Sequence, residues 1–324
     1  MYNTIKLEKG LYSIAGKSFT QALEDMDKDS GYENTEVRGL DAFERQLKRF
    51  DIKVCGVGSD MVEKFFQTTE SAVLFPEFVR RSIKQGMEEA SIIPEIVAAQ
   101  TRISGVDYRG ISIFQTGANA EISEGGTLPL TTIKLALAMT NLIKLGRKIS
   151  TSYEAIRQQR LDLFSAALRT IGGQISKAVN QNAVETLTSG VTPSTMAGAK
   201  LTYNDLITFW ATFEDYNLTT ILVSPAVMAG ILKLEEMKYC TSEFMTSGML
   251  RTPFGATLVK CNAVPNDILV GLDKACALEA ISGSDIIVDF EKLIGTQIED
   301  TAFTITIGFN KIMPYATKVL SVVV

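Results

Sequence analysis

An α+β fold is what this sequence predicts, and three patterns carry that reading. Leu161, Phe164, Leu168, Ile171, Ile175 and Ala178 recur at a 3-4 spacing, the repeat of one face of a long helix. A helix–strand–helix alternation follows over 202–234, and short β-rich segments then run on to the C-terminus. With 324 residues the chain exceeds what one compact core usually needs, so two domains or one large elaborated domain is expected.

Composition narrows the function. Hydrophobic residues make up 46% and charged residues 21%, which suits a globular chain with a sizeable core. A net charge of −5 offers no electrostatic footprint for wrapping nucleic acid. Histidine is absent, which excludes Ser-His-Asp and Cys-His nucleophile systems, His-ligated metals and imidazole acid–base work. Carboxylate, lysine, tyrosine or cofactor chemistry stays open. Cys55, Cys240, Cys261 and Cys276 form no C-x-x-C pair and read as small buried hydrophobes in a reducing compartment. Residues 1–9 lack the apolar core of a signal peptide, and the apolar stretches at 135–145 and 319–324 are too short to span a bilayer. A soluble chain made in the cytoplasm is expected.

Residues 1–70 are polar and break into short helical pieces. Phe19, Ala22, Leu23 and Met26 share a face behind Ser18, a suitable N-cap. Leu40, Phe43, Leu47 and Phe50 repeat the spacing, with Glu44, Arg45, Lys48 and Arg49 on the other sides. Met61, Val62, Phe65 and Phe66 form a third apolar patch. Such short helices bury little alone and must dock on something larger. Residues 71–100 read as an extended arm with a helix, Pro76 standing at its start. Residues 102–131 are rich in Gly, Ser and Thr, contain no lysine, and alternate at Ile111, Ile113 and later Ile122. They read as a long two-stranded excursion with few core residues, a length that loops reach mainly for function.

Leu135, Leu137 and Met139 alternate with Lys134, Ala136 and Ala138, so 131–150 fits a strand. The helical stripe then predicts a rod over 151–189 of about 50 Å, with Thr151 or Ser152 as N-cap, Gly190 as stop, and a bend at Gly172-Gly173. After a linker at 191–199, Thr202 and Asp205 form a capping box for a helix to Phe213. A buried strand at 219–224 and a helix opened by Ser224-Pro225 complete a small α/β unit. A loop from Met245 to Phe254 precedes the strands ATLVKC, ILVGL, CALEAI and DIIVDF, and the well-alternating 301–309 and 316–324 close the chain.

No motif survives as a catalytic claim. GVGSDM (56–61) lacks the third glycine of a nucleotide loop, and GRKIST (146–151) lacks the glycines of a P-loop. Asp25, Asp27 and Asp29 alternate like calcium ligands but lack the loop glycine and closing glutamate. Glu88-Glu89 and Glu235-Glu236 read as solvated faces. Arg80-Arg81, Arg45 to Arg49 and Arg147-Lys148 are explained by solvation or subunit ion pairs as well as by DNA contact. Trp210 reads as a core residue.

The order of the parts is more specific than any motif. LFPEFVRRSI (74–83), AEISEGGTLPLTTIKLALAMTNLIKLGRKISTSYEAI (120–156), LTYNDLITFW with TTILVSPAVMAGILKL (201–234) and FGATLVKCNAVPNDILVG (254–271) carry a resemblance over about residues 70–324. In this order they resemble the Hong Kong 97-type major capsid proteins of tailed phages and prophages. The resemblance implies an N-arm at 71–101 and an E-loop at 102–131 lying over a neighbouring subunit. It implies a peripheral domain with a long spine helix at 131–199 and 295–324, and an axial domain at 200–294. Residues 1–70 are shorter than the family's N-terminal assembly region; they are expected to be a small scaffolding-like region or a permanent part of the shell, and a start at Met1 favours retention.

The implied function is structural. Copies assemble as hexamers and pentamers into an icosahedral virion shell around packaged double-stranded DNA, with portal and scaffolding or decoration proteins as partners, no membrane, no cofactor and no metal. Subunit contacts are expected at Arg80, Arg81, Arg109, Glu121, Glu124, Gly125, Gly126, Gly172 and Gly173. With no lysine in 102–131, no covalent chainmail through that loop is expected. Competing readings are an encapsulin-type nanocompartment enclosing a cargo enzyme, against which residues 1–70 count, and an α/β enzyme using carboxylate or cofactor chemistry.

Overall fold

The computed structural model describes residues 5–14, 16–32, 37–105, 107–116, 121–152, 155, 157–240, 250–283, 286–293, 295 and 298–323. Its described α-helices are α1 (Phe19–Met26), α2 (Ala42–Arg49), α3 (Thr69–Ala72), α4 (Phe75–Ala90), α5 (Ile93–Ile96), α6 (Leu161–Thr188), α7 (Tyr203–Ala211) and α8 (Pro225–Leu232). The strands are β1 (Val97–Arg102), β2 (Ile111–Thr116), β3 (Leu130–Leu135), β4 (Ile143–Ser152), β5 (Ser194–Thr195) and β6 (Thr220–Val223). They continue with β7 (Thr257–Lys260), β8 (Ile268–Leu272), β9 (Leu278–Ser282), β10 (Ile287–Leu293), β11 (Ile298–Lys311) and β12 (Thr317–Ser321). The chain forms two compact units, one of Met1–Ala90, Gly146–Ile175 and Ile286–Thr304, the other of Ser91–Leu145, Ser176–Asp285 and Ile305–Val324.

The first unit is built around Phe75. Its ring meets Phe65 at 5.6 Å, Phe164 at 6.1 Å and Phe290 at 6.2 Å, so the N-terminal segment, α4, α6 and β10 share one aromatic core. The apolar faces foreseen in residues 1–70 are buried here at Phe19, Leu23, Phe43, Leu47, Val62 and Phe65. Ser18, Asp41 and Thr68 each close a capping box with the residue three positions on.

Arg45 departs from expectation: it is fully buried rather than on a solvated face. Its guanidinium contacts Asp27 Oδ2 at 3.2 Å, Glu24 Oε2 at 3.1 Å and Asp29 Oδ1 at 3.1 Å, and lies 5.0 Å from the Tyr32 ring centre. Of the aspartates that alternate like calcium ligands, Asp27 and Asp29 therefore serve an internal cation, while Asp25 pairs with the exposed Lys17.

The α4–α6 crossing is a backbone contact. A Cβ on Gly86 would stand 2.0 Å from the Arg169 carbonyl oxygen, and one on Gly172 would stand 2.1 Å from that of Ile83. Gly172-Gly173 therefore lies within an unbroken helix where the sequence suggested a bend, and Gly172 serves close approach. The helix also begins at Leu161, ten residues later than expected, because Thr151 and Ser152 belong to β4. Its start is fixed by the Leu161 N–H donating to the Asp60 carbonyl at 2.8 Å, and Gly190 at φ +71° follows its end.

In the second unit β5, β12, β8, β6 and β7 form one sheet in that order. Both of its faces are covered, which explains why β6 is buried at every position. Leu222, Val270, Leu272 and Val319 face a core completed by Ile93, Ile96, Val179, Val184 and Leu187. Ile221, Val223, Leu269 and Leu320 face another, with Leu206 and Phe209 of α7 and Val227 and Ile231 of α8. Thr202–Asp205 and Ser224 cap those two helices as expected. Trp210 is a correction: it is 46% exposed, beside Phe254, on the face of α7 turned away from that core. Of the cysteines only Cys261 is buried; Cys240 and Cys276 are half-buried and Cys55 is exposed. Part of the expected Met245–Phe254 loop lies outside the described residues.

The single strand expected at 131–150 is two strands with different partners. β3 pairs with β2, β4 pairs with β11, and the chain between them is held by other contacts. The Ala136 N–H donates to Gly110 O and the Thr140 N–H to Tyr108 O, each at 2.8 Å.

Candidate assembly interface

β2 and β3 pair antiparallel from Ile111↔Leu135 to Thr116↔Leu130. Among the described residues neither pairs with a third strand, and a two-stranded ribbon is marginal alone in water. The register puts Ile111, Ile113, Ile133 and Leu135 on one face. That face is open: Ile133 is 64% and Leu135 69% exposed, with Leu128 at 74% and Leu137 at 96% nearby. Fully burying one such side chain is worth about 1.5–3 kcal/mol, so covering these residues with a partner supplies several kcal/mol. An uncovered flat apolar ribbon would instead invite unspecific association.

The segment before β3 contains a turn in which the Gly126 N–H donates to Ser123 O at 2.8 Å, with Gly125 at φ +79°. A positive φ at the third position is what a type II turn needs, and glycine meets it without strain. Glu124, Gly125 and Gly126 are thus together on one exposed turn, with Glu121 exposed three residues before it and Arg109 exposed ahead of β2. The two-stranded excursion is present, but its second strand runs to Leu135 and leaves Ile122 outside the ladder. The hairpin therefore includes Lys134, exposed and in register with Ser112 near the base.

Arg80 and Arg81 stand elsewhere, on α4. Both bind the fully buried Glu77: Arg80 Nη2 to Oε1 at 2.8 Å and Arg81 Nε to Oε1 at 2.9 Å. Thr20 Oγ1 donates to the same oxygen at 2.8 Å, and Arg81 Nη1 reaches Asp41 Oδ2 at 2.5 Å. Burial alone would push the Glu77 carboxyl up, but the two guanidinia and Thr20 outweigh it and hold it below the usual range. These arginines join the N-terminal segment to α4. Gly172 packs on α4, while a Cβ on Gly173 would meet Ala90 at an ordinary 3.7 Å.

The 56–59 loop offers its carbonyls to the Arg160 side chain, Nη2 donating to Val57 O at 2.8 Å, whereas a phosphate loop turns N–H groups toward its ligand. Glu88, Glu89, Glu235 and Glu236 are exposed. Among the described residues no group of three or more Cys, Asp or Glu could hold a metal ion, and no helix is long and apolar enough to cross a membrane. Sequence reasoning missed Tyr108, Glu279 and Asn310, which gather at the hairpin base; nothing in their spacing marks them.

A family model described as a phage capsid protein matches residues 137–308, more than half of the chain. The chain belongs to the phage capsid protein family. It is therefore a shell-forming structural subunit of the phage type, and the expected Hong Kong 97-type fold is borne out by solved capsids. The virus-like particle from Pyrococcus furiosus aligns with a TM-score of 0.55 at 14% identity, covering 76% of this chain and 98% of that one. The capsid of a native GTA particle aligns at 0.53 with 9% identity, over 74% of this capsid protein and 91% of that chain. A structure from Microbacterium phage Oxtober96 gives 0.52 at 10% identity, over 72% and 91%. Identities this low speak for fold alone. No curated protein matches the chain by sequence.

Proposed function

We propose that this capsid protein assembles as hexamers and pentamers into an icosahedral shell enclosing packaged double-stranded DNA. The observation that carries the reading is the β2–β3 hairpin, whose apolar residues Ile111, Ile133 and Leu135 stand exposed among the described residues. A neighbouring copy supplies that cover in a closed shell, where every subunit meets the same surface of the next. In this reading 71–101 is the N-arm and 102–131 the E-loop, its second strand continuing to Leu135. Residues 131–199 and 295–324 are the peripheral domain and 200–294 the axial domain. Residues 1–70 stay with the shell, since Phe65 is part of the Phe75 core.

Arg109, Glu121 and the Glu124–Gly126 turn act along the hairpin. Arg80, Arg81 and Gly172 act indirectly, by stiffening the body that receives it. A net charge of −5 suits a wall that contains DNA without gripping its phosphates. A portal protein and scaffolding or decoration proteins are the further partners of such a shell, and the particle forms in the host cytoplasm.

The test is electron microscopy of particles made by co-expressing the chain with its neighbouring genes, followed by analysis of their contents. Closed shells protecting DNA from nuclease support the proposal. Shells filled with one dominant enzyme would indicate a nanocompartment, and a chain that stays monomeric at high concentration would overturn the assembly role.

A further inference from the structure

We propose that Tyr108 and Glu279, with Gly110 and Asn310 beside them, form a latch that fixes the angle at which the hairpin leaves its sheet. The inference rests on the reading of the hairpin as the contact with a neighbouring copy, and it makes these four positioning residues for assembly.

Glu279 lies on β9 and is buried. Thr101 Oγ1 of β1 and Tyr108 Oη, on the run into β2, both donate to its Oε1 at 2.5 Å. Burial and the Glu279 carboxylate both push the Tyr108 phenol pKa up, so it remains a donor. The other oxygen, Oε2, is buried with no partner among the described residues, and so is Nδ2 of Asn310. Asn310 on β11 is the register partner of Glu279, so an unused acceptor and an unused donor stand on neighbouring strands.

Gly110 separates them from the hairpin. A Cβ at 110 would stand 1.8 Å from Asn310 Nδ2, so the entering leg rests directly on that carboxamide. The leaving leg rests on β11 as well: a Cβ on Gly308 would stand 2.8 Å from Asn141 O. The two legs are tied together by Ala136 N–H to Gly110 O and Thr140 N–H to Tyr108 O. Beyond these ties β2 and β3 pair only with each other among the described residues. The hairpin's direction is therefore set at its base.

The experiment uses the full chain with Tyr108→Phe, which keeps the ring and removes the hydroxyl. In the unassembled subunit the peptide holding Ala136 and Thr140 should exchange its amide hydrogens about fivefold to tenfold faster, the scale of one lost hydrogen bond, while the melting temperature stays near wild type. Shells should become heterogeneous in diameter or open into sheets. Gly110→Ala should act in the same direction, and adding Asn310→Ala should restore wild-type exchange by clearing the space the new methyl group needs.

Unchanged exchange in Tyr108→Phe, or no restoration by the second substitution, would overturn the latch. The exchange measurements need no shell. If the wild type never assembles, the interface reading fails while the latch is still tested.

Discussion

Gly86 and Gly172 each lie against the backbone of the other's helix, Gly86 on the Arg169 carbonyl and Gly172 on that of Ile83. The crossing is reciprocal, and Ser82 and Ser165 continue it with their hydroxyls 3.1 Å apart. A methyl group at either glycine meets main-chain oxygen, which cannot rotate away. Gly172→Ala or Gly86→Ala is expected to destabilise the subunit by about 1–3 kcal/mol or more. Gly173→Ala meets Ala90 and the Gly86 carbonyl oxygen, each at an ordinary 3.7 Å, and should be neutral or stabilising by up to ~1 kcal/mol, because alanine is the better helix former. Denaturant titration of the three variants checks the contrast; equal effects at 172 and 173 would contradict it.

Glu77 gives the subunit an acid limb. Its ordinary value is 4.5, and in the folded chain burial raises it while Arg80, Arg81 and Thr20 lower it further, for a net depression. The stabilisation is complete above the ordinary value and is lost as pH falls from about 4.5 through the lower folded value. Thermal melts from neutral pH down to pH 3 should show that decline. Glu77→Gln should flatten it, starting from a subunit already weaker by about 1–3 kcal/mol at neutral pH.

Arg45 is the buried cation that pairs with the fully buried Asp27, and its loss removes that ion pair. Arg45→Ala is expected to lower stability by about 3–5 kcal/mol. A melting curve indistinguishable from wild type would contradict a stabilising role for this network.

Charging the apolar face of the hairpin separates assembly from folding. Ile133→Lys or Leu135→Lys changes side chains that are already mostly in water, so the subunit melt should stay within about 0.5 kcal/mol of wild type. Assembly, read by light scattering and microscopy, should be abolished. A variant that still builds normal shells would remove this face from the interface.

Intact-mass analysis of mature shells should give one species of subunit mass. The hairpin's lysine is Lys134, near the base, and residues 102–131 contain none. A ladder of crosslinked subunits would contradict this expectation.

What the sequence disclosed was mainly local chemistry. Ser18, Thr202 with Asp205, and Ser224-Pro225 are readable as helix starts because a cap's oxygen acts within its own first turn. The 3-4 stripe of α6 and the apolar run of β6 are readable because side-chain period follows backbone geometry. The misread features depend on distant partners. Thr151 and Ser152 could cap a helix, yet β4 continues through them, and its partner β11 lies some 150 residues on. Arg45 looked solvated because its neighbours are charged, and only the fold brings Asp27 and Glu24 around it. Trp210 looked like core by type, while the α7 face that packs inward carries Leu206 and Phe209 instead. The hairpin base shows the same limit, since Glu279 and Asn310 are far from Tyr108 in the chain.

The most direct test of the account is a cryo-electron microscopy reconstruction of the assembled particle, read at the 111–135 hairpin. The expected result is a closed icosahedral shell in which Ile133 and Leu135 are buried against a neighbouring subunit. A shell in which that face points into solvent, or a chain that remains a monomer even with its neighbouring gene products, would contradict it.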